Sequence, residues 1–257
     1  MESCKSGARI LWVVTGAGSW LREAAGIAAA LAKFHRVTIA LTKAGYEVAR
    51  VFGALGLLRL AAPGGYYREL VVEASASGLP VVNRVSAKSY DLVVIAPASS
   101  NTIAKIAYGV ADNLASSVAS QALKNRVPLA IVPSEWPDGV ETELPCRVDR
   151  NLCVGCKACI PVCPVGAITL VEGKARIELQ ECVGCTRCVA ACHVGAIKCF
   201  DRVKVRPSRI DIENLERVKM YGVVVLERPL QILKWVSSMG YCVPGSSFIG
   251  GNGGLTE

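Results

Sequence analysis

ARILWVVTGAGSW, from Ala8 to Trp20, is the stretch whose reading decides the fold. Its first eight residues, Ala8 to Thr15, form an apolar run short enough for a parallel strand buried on both faces. The glycines of TGAGS turn the chain, and WLREAAGIAAALAKF continues as a helix. Strand, glycine turn and helix begin a doubly wound sheet, and the alternation continues. HRVTIALT reads as a strand, KAGYEVARVF as a helix, YRELVVEASAS (Tyr67–Ser77) as another helix and YDLVVIAP as a strand. SSNTIAKIA and ADNLASSVASQAL follow as helices, and VPLAIVPS as a strand. The expected fold class is α/β, a Rossmann-like, doubly wound parallel sheet. Ligands then belong at the carboxyl ends of the strands, in the loops at Gly16, Thr42, Ala98 and Ser134.

The 257 residues make one large domain or two smaller ones, and 52% apolar composition supplies a substantial core. No apolar stretch approaches the roughly 18 residues of a membrane span, and MESCKSGARILWVV carries no cleavable signal pattern. The expectation is a cytoplasmic protein with no membrane partner. The net charge of +8 is spread without a basic run, which points away from nucleic acid. Twelve cysteines in a reducing compartment argue against a disulfide framework and for metal or redox chemistry.

Eight of those cysteines lie in CVGCKACIPVCPVGAI (Cys153–Ile168) and CVGCTRCVAACHVGAI (Cys182–Ile197), a repeat identical at ten of sixteen positions. The C-x2-C-x2-C-x3-C spacing sets three thiolates on one cubane and sends the fourth to its neighbour. Cys153, Cys156, Cys159 and Cys192 therefore hold one [4Fe-4S] cluster, and Cys182, Cys185, Cys188 and Cys163 the other. Structural zinc sites use separated CxxC knuckles, which this packing does not resemble. The stretch resembles bacterial-type two-cluster ferredoxins over about fifty residues, including Pro164 and the EGK turn near Gly173. It departs at His193, where that family has proline; the histidine either tunes the nearby cluster or is a tolerated surface residue. Seven Lys and Arg against four Asp and Glu between Cys146 and Phe200 read as a solvated surface, ahead of a docking patch for an acidic donor. Cys4, Cys146, Cys199 and Cys242 receive no role; a free cysteine is commonly a small buried hydrophobe.

In the loops, Gly16 and Gly18 let the backbone approach an anion at a helix N-terminus, and Ser19 adds a hydroxyl, which suits a phosphate. Leu41 and Thr42 end the second strand where a dinucleotide site has an acidic residue, so a mononucleotide fits better. PASSNT (Pro97–Thr102) places hydroxyls and an amide past another strand, where Ser99 or Ser100 is either an N-cap or a ligand group.

PASSNTIAKIAYGVADNL, with TGAGS and LTKAG upstream, resembles the superfamily of flavin-containing cysteine decarboxylases, which includes phosphopantothenoylcysteine decarboxylases and flavin prenyltransferases. The resemblance covers most of residues 8–135. It implies an FMN pocket, commonly between subunits of a trimer, and hence a homo-oligomer built from trimers. By matching motif, it puts Gly16, Ala17, Gly18 and Ser19 near the phosphate and ribityl chain, and adds Thr42, Ser99, Ser100, Asn101, Thr102 and Ser134. Asn101 is the residue expected to act in catalysis.

The departures narrow the activity. The decarboxylases' mid-fold histidine is missing, since the chain has only His35 and His193, and VPSEWPDG lacks their Met-Asn clamp. Ser134 stands where the prenyltransferases have an arginine, and cannot make its charge-assisted contact. What remains is flavin redox chemistry, as in the branch of archaeoflavoproteins and acceptor-linked dihydromethanopterin reductases. RIDIENLERVKMYGVVVLERPLQILKWV, from Arg209, looks like the helix, strand (Val223–Leu226) and helix that close the flavin domain. The ferredoxin segment is then an insertion: residues 1–145 begin the flavin domain, 146–200 are the ferredoxin, and 201–257 complete the flavin domain with a tail, GSSFIGGNGG, of mobile composition.

The implied function is an iron-sulfur flavoprotein oxidoreductase. Electrons from an external low-potential donor protein pass through two [4Fe-4S] clusters to FMN and on to a small pterin-type substrate. A flavin suits this because it collects single electrons and delivers a pair. The rival is a non-enzymatic electron-transfer flavoprotein serving a protein partner; a decarboxylase or prenyltransferase relative fits poorly.

Overall fold

The computed structural model describes residues 4–73 and 79–245. Strands and helices first alternate: β1 (Arg9–Val14), α1 (Leu21–Leu31), β2 (Arg36–Leu41), α2 (Lys43–Val51), α3 (Leu55–Ala61), β3 (Leu70–Val72), α4 (Leu79–Ser86), β4 (Leu92–Ala98), α5 (Ser100–Ala107), α6 (Leu114–Asn125) and β5 (Leu129–Pro133). The chain then leaves the sheet through β6 (Val140–Glu143), β7 (Arg147–Val148), β8 (Ile168–Val171), β9 (Lys174–Ile177), α7 (Arg187–Ala191), β10 (Ile197–Lys198) and β11 (Arg202–Val205). It returns with α8 (Arg209–Met220), β12 (Val224–Val225) and α9 (Gln231–Ser238).

Among the described residues, six strands form one parallel sheet in the order β12-β5-β4-β1-β2-β3. The winding reverses between β1 and β4, and a crevice opens beyond the carboxyl ends of those strands. Ile10, Trp12 and Val14 of β1 pack to one side with Leu21 and Ala28 of α1 and Leu58 of α3. Leu11 and Val13 pack to the other side with Leu114 and Val118 of α6 and Val218 of α8. Because side chains alternate along a strand and both faces are covered, the strands read in sequence as unbroken apolar runs. Trp12 stays satisfied at the centre of the sheet by donating its indole N–H to Ala96 O at 2.9 Å.

The helix expected over Tyr67–Ser77 is not observed. Leu70–Val72 instead pairs in parallel with Ile39–Leu41 as edge strand β3, while residues 74–77 lie outside the described residues. Leu-Val-Val suits a pleated edge, and the open edge of β2 supplies the pairing that decides between strand and helix. Glu73 ends the strand usefully: its carboxylate accepts the N–H groups of Lys43 (3.1 Å) and Leu114 (2.6 Å), at the starts of α2 and α6. The tail GSSFIGGNGG lies, after Gly245, outside the described residues as well.

The small α+β unit between β5 and α8 hangs on a two-stranded ribbon. β6 pairs antiparallel with β11, from Val140↔Val205 to Glu143↔Arg202, and β7 with β10, at Arg147↔Lys198 and Val148↔Ile197. Cys146 and Cys199 form a disulfide across this ribbon, and Cys4 and Cys242 form another where Lys5 bridges Tyr241. The expectation of four unpaired cysteines without disulfides is therefore corrected. These pairs are 53 and 238 residues apart in sequence, and only the tertiary fold makes them neighbours. No helix among the described residues is long and apolar enough to cross a membrane.

Candidate functional site

Thr15 ties together the two loops at the switch point. Its hydroxyl donates to Pro97 O and accepts the N–H of Ser99, both at 2.8 Å. Ser134 is held beside them by its N–H on Ala98 O at 2.9 Å. The expected residues Gly16, Ala17, Gly18, Ser19, Ser99, Ser100, Asn101, Thr102 and Ser134 thus follow β1, β4 and β5 along one edge of the sheet, with Thr42 after β2.

Their side chains divide by what already occupies them. Ser99 is an N-cap: Oγ accepts the N–H of Thr102 at 3.3 Å and lies 3.0 Å from Thr102 Oγ1. Thr42 caps α2, accepting the Gly45 N–H at 2.9 Å while donating to Val14 O at 3.4 Å. Ser100 donates to Glu135 Oε2 at 3.3 Å. The exposed Asn101 side chain and the hydroxyls of buried Ser19 and Ser134 make no hydrogen bond among the described residues, so they are the groups left to meet a ligand. The glycines have a packing task that the sequence did not show. A Cβ on Gly16 would stand 2.7 Å from Ala44 Cβ, and one on Gly18 would stand 2.8 Å from Phe52 Cζ, so the bare turn seats against α2.

Two further residues, Trp20 and Glu135, adjoin the site. A cavity of about 630 Å³ beside the turn is walled by Gly18, Trp20, Arg22, Trp136 and Arg202 among others. Trp20 adopts a left-handed backbone, and its indole N–H is buried with no partner among the described residues. An orphaned buried donor costs about 1–3 kcal/mol, which a polar ligand at this wall would recover. Burial raises the Glu135 carboxyl above the usual carboxylate range, against the opposing pull of the Ser100 hydroxyl. A single sequence offers no signal for Trp20 or Glu135, because neither lies in a motif with a required spacing.

The cysteines gather in two places. Cys163 joins Cys182, Cys185 and Cys188 around one small cavity, and Cys192 joins Cys153, Cys156 and Cys159 around another. Among the described residues no three His, Cys, Asp or Glu side chains converge on a point suited to one ion. Thiols surrounding a volume fit an extended all-thiolate cluster better than a tetrahedral zinc ion. Backbone N–H groups point at the sulfurs: Ala175 to Cys153 (3.4 Å), Ala167 to Cys163 (3.2 Å) and Gly184 to Cys182 (3.4 Å). Burial pushes the Cys188 thiol up to about 11 and raises Cys159, whereas the N–H groups of Ala175 and Gly155 lower Cys153. Because the ligands are thiolates, loading these cavities releases protons. Exposed His193 places Nδ1 3.9 Å from Cys156 Sγ, beside the cavity of Cys153, Cys156, Cys159 and Cys192.

Residues 1–137 match the flavoprotein family. The chain belongs to that family. Residues 152–196 match the 4Fe-4S dicluster domain, so this flavoprotein carries a two-cluster iron-sulfur module inside its sheet domain. It is 40% identical over 233 residues to the acceptor-linked dihydromethanopterin reductase of Methanocaldococcus jannaschii, covering 88% of this chain and 95% of that one. It is 36% identical over 233 residues to the enzyme of the same name from Methanosarcina mazei, covering 88% and 98%. Among solved structures, DmrB of Burkholderia xenovorans in complex with FMN, described as a cubic protein cage for redox transfer, superposes with a TM-score of 0.56 at 24% identity. That match covers 90% of this flavoprotein and 97% of DmrB, and shows a shared fold.

Proposed function

We propose that this flavoprotein is an FMN-dependent, acceptor-linked dihydromethanopterin reductase. It draws electrons from a low-potential donor protein through two [4Fe-4S] clusters to FMN and a pterin substrate. The observation that carries the reading is the crossed gathering of eight thiols around two cavities, on a ribbon that leaves and rejoins the domain bearing the crevice. The 40% identity to a reductase over both parts of the chain supports the pterin as substrate. Bound FMN would supply the conversion of single electrons into the pair that reduction of a C=N bond requires.

The chain's own residues supply the surroundings. Ser19, Asn101 and Ser134 offer free polar groups to the cofactor, and the first N–H groups of α5 place positive potential at Ser100 and Asn101, where reduced flavin carries negative charge. Glu135, with its raised pKa, can hold a proton near the crevice. Asn101, exposed in the first turn of α5, would be the catalytic residue, its side-chain amide meeting the flavin when the cofactor is bound. Cys153, Cys156, Cys159 and Cys192 ligate the first cluster, and Cys182, Cys185, Cys188 and Cys163 the second. The ribbon supports a ferredoxin module of residues 146–200 within a flavin domain of residues 1–145 and 201–257. Assembly is as trimers within a larger homo-oligomer, in the cytoplasm.

The test is stopped-flow reoxidation of the photoreduced protein by dihydropterin. Saturable reoxidation is the expected result, with Asn101→Ala slowing it while iron content stays unchanged. Glu135→Gln should remove the fall in rate as pH rises through the carboxyl's raised pKa, because only the protonated acid donates. A flavin that stays reduced at high dihydropterin, yet is oxidised rapidly by an acceptor protein, identifies a carrier and sinks the reductase reading.

A further inference from the structure

The two copies of CVGC do not face the same surroundings. In the second copy, Gly184 is buried against the end of α2. A Cβ there would collide with Val51 O, and would stand 2.9 Å from Gly53 N and 3.2 Å from Phe200 Cζ. The contact is mutual, since a Cβ on Gly53 would lie 3.4 Å from Gly184 O and 3.7 Å from Val183 O. Arg50, on the same turn of α2, donates to Gln180 O just before the loop. Phe200 stacks on Phe52, with ring centroids 6.0 Å apart and planes at 28°. Phe52 in turn presses its Cζ against Gly18 of the glycine turn. The guanidinium of Arg22 sits 4.4 Å over the Phe200 ring while pairing with Glu143 of β6 at 2.8 Å, which pins the ring between the two parts.

From this continuous contact we infer that the second cluster, held by Cys182, Cys185, Cys188 and Cys163, passes electrons to the flavin. The junction is formed by Gly184, Phe200 and Phe52. Gly184 is a positioning residue: with no side chain and a φ of +61°, it brings the backbone between Cys182 and Cys185 into contact with α2. In the first copy Gly155 packs on Gly173 O of the β8–β9 hairpin, inside the module itself. The first cluster is thus the outer one. Each passage moves one electron, oxidising the second cluster by one unit and reducing the flavin by one. Two passages and one proton from solvent convert FMN to FMNH⁻, with the electrons supplied by a low-potential one-electron donor protein.

The inference rests on the flavin reading, and the experiment separates the two. Gly184→Ala and Phe200→Ala proteins are assayed for iron, FMN, backbone amide hydrogen exchange, and flavin reduction by a reduced bacterial two-cluster ferredoxin as probe. Both should keep about eight iron per chain and one FMN. Amide exchange at Gly53 and Gly184 should quicken. Flavin reduction should slow severalfold, since electron transfer between two centres falls off exponentially as the gap between them widens. Should Gly184→Ala fail to assemble its clusters, Phe200→Ala decides alone, because the change removes only a half-buried ring that ligates no iron, and the Phe200 N–H bonds Leu144 O and not a cysteine sulfur. Parent-rate flavin reduction in Phe200→Ala protein overturns the assignment. A parent protein that binds no FMN fails the flavin reading instead, and amide exchange at the junction still reports whether the contact exists.

Discussion

Val154 and Val183 occupy the same place in the two copies of CVGC, yet Val154 is 66% exposed while Val183 is half-buried. Leu152, beside the first copy, is 48% exposed. The first copy closes on the module's own hairpin, and its other side faces solvent. The second turns toward the sheet domain and meets α2. The repeat, identical at ten of sixteen positions, therefore produces two equivalent cluster cavities and two different outer surfaces. A repeat specifies its internal geometry, while its role in a larger chain depends on what the chain sets beside it.

Removing iron should have the largest effect. The buried groups of the module are mainly Cys159, Cys188, Ile168, Ala175 and Ile197, a core too small to stand without the clusters. Anaerobic chelation should erase hydrogen-exchange protection in β8 and β9 while the parallel sheet stays protected. Protection that survives around Gly184 alone would show that docking, and not the cluster, holds the second copy.

The ribbon disulfide comes next. Cys146 is 2% exposed and shares the wall of the second cavity with Cys182, so the paired Cys146→Ser/Cys199→Ser change should loosen the second copy before the first. A cross-link closing a loop of this size contributes about 2–4 kcal/mol. Thermal melts followed by cluster absorbance, with and without a dithiol reductant, should separate the parent forms and leave the double variant unmoved. Equal loosening of both copies would erase this part of the contrast.

Gly155→Ala tests the first copy from within. At φ +69° and against Gly173 O, a methyl group costs about 1–3 kcal/mol in strain. The module's melting temperature should fall while exchange at Gly53 stays at the parent value, the reverse of the pattern expected for Gly184→Ala. Quickened exchange at Gly53 in Gly155→Ala protein would mean that the copies are mechanically coupled.

Acid probes the platform on which the second copy rests, with the smallest effect. His35 is 1% exposed and donates Nε2–H to Cys242 O at 2.7 Å; burial holds its pKa below 6.5. Between that lowered value and 6.5 the unfolded chain binds a proton that the folded chain refuses. Stability is therefore full above pH 6.5 and declines as pH falls through this window, by up to about 1.4 kcal/mol per pH unit. Denaturant melts of the flavin domain at stepped pH should show this decline, and His35→Gln should flatten it. An unchanged slope in the variant would place the acid sensitivity elsewhere.

The sequence by itself determined the parallel sheet, because strands covered on both faces must read as apolar runs. It also determined the cysteine sorting, because the spacing of thiols within each repeat leaves the fourth to the other cavity. The motif PASSNT marked the turn from β4 into α5, capped by Ser99, for the same reason: its cap and loop are local, and local chemistry is written in consecutive residues. Tertiary structure alone decided what depends on distant neighbours. It made Leu70–Val72 a strand by offering the open edge of β2, and paired cysteines 238 residues apart. It also used Gly18 to seat Phe52, raised the pKa of Glu135 by burial, and gave the second CVGC a partner that the first lacks. Each of these comes from packing between segments far apart in the chain, where no spacing or periodicity carries the information.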